Sequence, residues 1–173
     1  MTLPDWQPAD TLSQPPEAAL YDWLCEPGSL TSRLQALGSF RVELLRESAL
    51  PARADEAAAL GVTPGSPLWT REVLLHSNGT PCIFARSVMR PEQLTNSPLR
   101  LAELGSRSLG ERLFGSPDVQ RGPIQISRWP DEWLPDPWRG SACWARRSLF
   151  SATHLQLLVC EVFLPGWSAG QTA

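Results

Sequence analysis

The chain has 173 residues, 42% of them hydrophobic, with a formal net charge of −3 and a pI near 5.4. Such a chain is long enough for one globular domain with a real core, and its acidic balance argues against a general nucleic-acid surface. All fifteen basic side chains are arginine, so chemistry that needs a lysine, whether an internal Schiff base, pyridoxal phosphate attachment or a P-loop, is excluded.

In chain order, residues 1–15 are rich in proline and polar residues, lack a basic n-region and read as a surface tail. Residues 16–26 read as an amphipathic helix that carries Leu20, Trp23 and Leu24 at helical spacing, and Pro27-Gly28 ends it. Ser29 or Thr31 can cap a second short helix that Gly38 terminates, with Leu30 expected in the loop at the junction. Residues 39–48 alternate, Phe40, Val42 and Leu44 against Arg41 and Glu43, as a half-exposed strand does. Residues 51–67 form a connection, with a turn or two of helix over 55–60.

Asn78-Gly79 sits between two apolar runs and predicts a tight hairpin, because both residues tolerate the positive φ of a type I′ turn. Pairing outward residue by residue sets Leu75 against Cys82, Val73 against Phe84 and Arg71 against Arg86, which puts two arginines on one apolar face. At a separation of about 6 Å and an effective dielectric near 20, their repulsion is roughly 3 kcal/mol. Either they reach the sheet edge or structural carboxylates, or they line a pocket for an acidic small molecule.

Residues 91–114 read as helical turns broken at Gly105, with Leu109 opening the second. Residues 118–128 have strand character interrupted by Gly122-Pro123, and residues 129–141, which hold three of the eight tryptophans, read as an irregular surface loop. A final hairpin joins residues 142–150 to 154–164 around Ser151-Ala152-Thr153. On its last strand Glu161 is the single charge in a stripe of Leu155, Leu157, Val159 and Phe163, so it should either answer an arginine or take part in chemistry. An Arg71 to Glu161 ion pair would still leave one arginine over. Residues 166–173 read as a C-terminal tail.

Four cysteines lie scattered in apolar contexts, and the two histidines have no cysteine partner nearby, so reduced core thiols and no metal are expected. Gly-x-Ser-x-Gly, His-Glu-x-x-His and Gly-x-Gly-x-x-Gly do not occur. The reading is a single α+β domain over residues 16–165, with about six antiparallel strands flanked by helices, no membrane span and a cytoplasmic location.

Several segments taken together resemble the chorismate pyruvate-lyases of ubiquinone biosynthesis: Leu20-Tyr-Asp-Trp-Leu24, Ser29-Leu-Thr-Ser-Arg33, Trp69-Thr-Arg-Glu-Val-Leu-Leu75, Ala85-Arg-Ser-Val88, Ser108-Leu-Gly-Glu-Arg-Leu-Phe114, Trp144-Ala-Arg-Arg-Ser148 and Glu161-Val-Phe-Leu-Pro165. The resemblance implies a cofactor-free lyase that converts chorismate to 4-hydroxybenzoate and pyruvate in an internal cavity beneath two helical flaps. It implies that Arg71 holds a ligand carboxylate, that Glu161 meets the 4-position oxygen, and that Leu30 and Leu109 occupy the flaps. Leu30 stands where the family has methionine, a swap of similar volume. Arg86 matches a family arginine and is expected at the enolpyruvyl carboxylate, which makes Arg71 and Glu161 the catalytic residues and Leu30, Arg71, Arg86, Leu109 and Glu161 the binding set. The expected partners are chorismate and 4-hydroxybenzoate, with no nucleic acid and a monomeric state. The effector domains of some bacterial transcription regulators resemble the same fold, so a non-catalytic sensor of aromatic acids is the alternative.

Overall fold

The computed structural model describes residues 2–165. Eight strands form one antiparallel sheet: β1 (Gln7–Pro8), β2 (Phe40–Pro51), β3 (Pro67–Ser77), β4 (Thr80–Met89), β5 (Gln120–Arg121), β6 (Gln125–Arg128), β7 (Trp144–Ala152) and β8 (Leu155–Phe163). Their order is β1-β6-β7-β8-β4-β3-β2, and β5 also pairs with β7 beyond the end of β6. The expected six strands become eight for two reasons. Gly122-Pro123 splits one predicted strand into β5 and β6, both paired with β7. The N-terminal stretch, expected as a tail, adds β1 to the edge of β6, and the Trp6 indole donates to Asp55 Oδ2 at 3.0 Å.

Helices cover the two faces unequally. On one face lie α1 (Ala18–Leu24), α2 (Leu30–Gln35) and α5 (Leu109–Phe114), with α4 (Gln93–Asn96) and a 3-10 turn at Leu101–Glu103 nearby. On the other lie α3 (Ala54–Leu60) and residues 129–141. Helices of four to seven residues are too short to be stable alone, so packing on the sheet must hold them. Trp23, Leu24, Leu30 and Leu34 are the buried apolar positions of α1 and α2, and Thr31 is buried with them. Side chains make the caps: Ser29 Oγ accepts from Ser32 N–H, and Ser108 Oγ from Glu111 N–H. Leu30, expected in a loop, is therefore the first residue of α2. The 129–141 segment is irregular as expected but not merely superficial. Trp129 and Leu134 are buried against Phe84, Ala145, Cys160 and Val162 and close the apolar core on that face.

Two single-residue bulges decide which charges meet. The β3–β4 hairpin turns at Asn78-Gly79 as predicted, and Ser77 pairs with Thr80 and His76 with Pro81. Pro81 has no N–H to give the ladder, and beside it the register shifts so that Leu75 pairs with Ile83, leaving Cys82 as the extra residue. A one-residue slip exchanges faces for everything beyond it. Val73 thus pairs with Ala85, Glu72 with Arg86 and Arg71 with Ser87. The predicted Arg71 to Arg86 pairing is overturned, and the two arginines point to opposite faces. In β2 a second shift between Leu44 and Arg46 sets Glu47 across from Arg71. The β7–β8 hairpin turns at Thr153-His154, with Ala152 paired to Leu155, and not over Ser151-Ala152-Thr153 as predicted. The predicted C-terminal tail lies outside the described residues.

Candidate functional site

Beneath the start of α2 and the start of α5, the sheet forms the floor of a pocket. Strand alternation supplies Arg71, Val73 and Leu75 from β3, Ala85 and Ser87 from β4, Val159 and Glu161 from β8, and Arg146 and Phe150 from β7. Leu30 and Leu109, the first residues of the two helices, line the roof, and Leu30 is fully buried. Thr31 and Ser108 join the two roof elements through a buried hydroxyl contact of 2.8 Å. Gly110 permits that approach, since a Cβ there would stand 3.1 Å from both Ser29 Oγ and Thr31 Oγ1. The cavity volume is about 50 Å³, several times the roughly 10–15 Å³ that one water occupies.

Charge enters this apolar space at two places. From β3, Arg71 is 2% exposed, donates from Nη1 to Glu47 Oε2 at 3.0 Å and from Nη2 to the Arg107 carbonyl at 3.2 Å. From β7, Arg146 is 1% exposed and donates from Nε to Glu161 Oε2 at 2.6 Å, the two residues being direct cross-strand partners. Its Nη1 donates to the Glu26 carbonyl at 2.7 Å, which ties the end of α1 to the sheet. Arg121 of β5 also lines the pocket, with Nε donating to Ser148 Oγ at 2.9 Å and Nη1 to the carbonyl of Pro27 at 2.9 Å. Burial and the neighbouring Arg146 charge pull its pKa down to about 10.

Four of the five predicted binding residues, Leu30, Arg71, Leu109 and Glu161, therefore come together around one pocket, and Arg86 does not. On the opposite face Arg86 is enclosed by carboxylates, with Nε and Nη2 on the two oxygens of Glu56 at 2.6 and 3.2 Å and Nη1 on Glu72 Oε1 at 2.7 Å. Burial works against its charge, but the hydrogen bonds and charges of Glu56 and Glu72 outweigh that and raise its pKa. Nor does Arg71 pair with Glu161, whose partner is Arg146. Sequence reasoning did not assign Arg121 or Arg146 to the site. Arg146 lay within a motif of the resemblance, and a two-residue turn at Thr153-His154 would have set it across from Glu161.

Comparison with known proteins agrees with the resemblance. The family model described as chorismate lyase matches residues 3–169. A protein of Pseudomonas aeruginosa (strain UCBPP-PA14) named "Probable chorismate pyruvate-lyase" is 49% identical over 162 residues, covering 92% of this chain and 90% of its own. Another of that name, from Pseudomonas syringae pv. tomato, is 44% identical over 169 residues, covering 96% and 91%. Among solved structures, the effector domain of PhnF from Mycobacterium smegmatis superposes with a TM-score of 0.53 at 19% identity, over 80% of this chain and 89% of that one. A GntR-family transcriptional regulator from Bacillus cereus gives a TM-score of 0.51 at 12% identity, over 75% and 94%. These two likenesses are of fold alone.

Proposed function

This chain belongs to the chorismate lyase family, and from that premise we propose that it cleaves chorismate to 4-hydroxybenzoate and pyruvate without a cofactor, supplying the ring precursor of ubiquinone. The observation that carries the reading is a pocket with an apolar floor that has a buried arginine at one end and an ion-paired glutamate at the other. Chorismate is a ring that carries a carboxylate and, through an ether, an enolpyruvyl group with a second one. In the elimination the C4–H bond and the ether C3–O bond break and a C3=C4 double bond completes the aromatic ring. Enolpyruvate leaves and takes a proton on its methylene carbon to become pyruvate. Aromatisation drives the reaction, so the protein has mainly to position the ring, exclude water and handle a proton.

In this scheme Arg71 holds the ring carboxylate, and Leu30 and Leu109 enclose the ring as an internal cavity closes on it. Glu161 meets the 4-position oxygen and does the proton work. Its Oε2 is held by Arg146, while Oε1 has no hydrogen bond among the described residues and can face the ligand. No helix among the described residues is long and apolar enough to cross a membrane, and we place the enzyme in the cytoplasm, acting as a monomer.

Incubating the purified protein with chorismate and measuring both products tests the reading. Equimolar 4-hydroxybenzoate and pyruvate without added cofactor are expected, whereas tight binding with no turnover would replace the lyase by an aromatic-acid sensor. Glu161→Gln should lower kcat by about 10²–10⁴-fold, with 4-hydroxybenzoate still bound. Full turnover by that variant would remove Glu161 from the chemistry.

A further inference from the structure

We propose that Arg121 and Arg146 form a second carboxylate subsite in the pocket, and that this subsite receives the enolpyruvyl carboxylate of the substrate. The inference deepens the lyase reading and rests on it. Charge balance is the first support. Arg86 has two carboxylate partners and Arg71 has one, whereas Arg121 and Arg146 share Glu161 alone as a carboxylate in the pocket. Their remaining hydrogen-bond acceptors are neutral: the carbonyls of Leu24, Glu26, Pro27 and Gly28 and the hydroxyl of Ser148. Within the pocket lining one positive charge is left over at this end, and the Glu26 carboxylate, which also acts on Arg121, is itself paired with Arg33.

Donor capacity is the second support. Among the described residues neither Arg121 nor Arg146 makes a hydrogen bond through Nη2, although both side chains line the pocket and Arg146 is almost wholly buried. With Nε and Nη1 of both already donating, the open Nη2 of each arginine offers a carboxylate oxygen a charge-assisted hydrogen bond, so the two residues together match the two oxygens of one carboxylate. Desolvation and mutual repulsion already weaken the hold of Arg121 on its proton, and an anion between the two arginines would relieve both. The Arg121 guanidinium also lies over the Phe150 and Phe114 rings, at 5.5 and 5.8 Å, which keeps it at the α5 side of the pocket.

Placement is the third. Arg71 on β3 and Arg146 on β7 are three strand spacings apart, roughly 14 Å at the backbone, so a single ligand that touches both ends must be bifunctional. Glu161 lies on β8, between Arg146 and the β4 residue Ala85, and so falls between the two carboxylates of such a ligand. A ring carboxylate on Arg71 and an ether-linked carboxylate on Arg121 and Arg146 would set the breaking C–O bond beside the glutamate.

The test is calorimetric binding of two unreactive ligands, 4-hydroxybenzoate and 3-(carboxymethoxy)-4-hydroxybenzoate, which differ only by the second carboxylate arm, alongside chorismate kinetics. Arg121→Gln should bind the dicarboxylate at least tenfold more weakly and raise the chorismate KM by a similar factor, while 4-hydroxybenzoate binding shifts by less than threefold. Arg121→Lys, which restores the charge without the planar guanidinium that also holds residues 26–28 and Ser148, should fall between. If Arg121 only staples residues 26–28 to the sheet, both ligands weaken together, and that result overturns the subsite. No change for either ligand overturns it as well. Failure of the wild type to turn over chorismate would sink the lyase reading, yet the comparison of the two unreactive ligands would still decide the subsite.

Discussion

The two faces of the central sheet treat a buried arginine in opposite ways. On the α3 face Arg86 is closed in by Glu56 and Glu72, and the set continues through Arg46, whose Nε lies 3.7 Å from Glu72 Oε2. On the pocket face Arg121 and Arg146 share one glutamate, and neutral carbonyls complete their shells. The Arg86 guanidinium is fully answered and has no charge to offer, while Arg53 beside it, with no carboxylate at salt-bridge distance among the described residues, keeps a buried Nη1 without a hydrogen bond. The pocket-face pair is unfinished, and it borders the space where Leu30 and Leu109 meet the floor. Burial alone does not mark a functional arginine; the sum of charge around it does.

Breaking the Arg86 cluster should cost the fold and spare the site. Arg86→Ala leaves Glu56, 5% exposed, without its counter-ion, and removal of one partner from a buried pair costs about 3–5 kcal/mol. Thermal unfolding should show a melting temperature lower by roughly 6–20 °C for a chain of this size. The ratio of 4-hydroxybenzoate affinity to dicarboxylate affinity should stay at its wild-type value in the folded fraction. A selective loss of the dicarboxylate would return Arg86 to the site and contradict the register.

Arg71→Gln tests the site face directly, because the ring carboxylate is common to substrate and product. Losing one charged partner of a desolvated carboxylate costs about 2–5 kcal/mol, so both ligands should weaken by roughly 30-fold or more in titration. Loss of the dicarboxylate alone would mean that the ligand lies in the pocket the other way round.

Those contrasts also explain what could and could not be read from the chain. Asn78-Gly79 located the hairpin, the spacing of Trp23 and Leu24 located α1, and period-two alternation placed Glu161 on the same face as Val159. These signals are local. The register of β3 on β4 depends instead on a bulge beside Pro81, and uninterrupted pairing from the turn gave the wrong partner for every residue beyond it. Pro81 was the available warning. Arg121 was not legible at all, since its partners at residues 26–28 lie more than ninety positions away and the Pro27-Gly28 signal marks a turn without naming what packs on its carbonyls. The burial of Trp129 was hidden for a similar reason, because the core it closes is assembled from β4, β7 and β8.

The smallest effect sharpens the comparison from the side of Arg71, which stands between the two extremes. Its one carboxylate partner, Glu47, is brought opposite by the β2 bulge and has a side chain 26% exposed, so it can turn toward water when a ligand arrives. Glu47 thus competes with the ligand carboxylate for the same guanidinium. Removing its charge should help binding, by only the modest worth of a partly exposed pair, about 0.2–1 kcal/mol. Glu47→Gln is therefore expected to tighten 4-hydroxybenzoate binding by up to about fivefold in calorimetry and to strengthen product inhibition of turnover in parallel. Weaker binding would show that Glu47 orients Arg71 for the ligand rather than competing with it. In that case the pocket face would hold a completed pair at Arg71, and its open charge would lie wholly at Arg121 and Arg146.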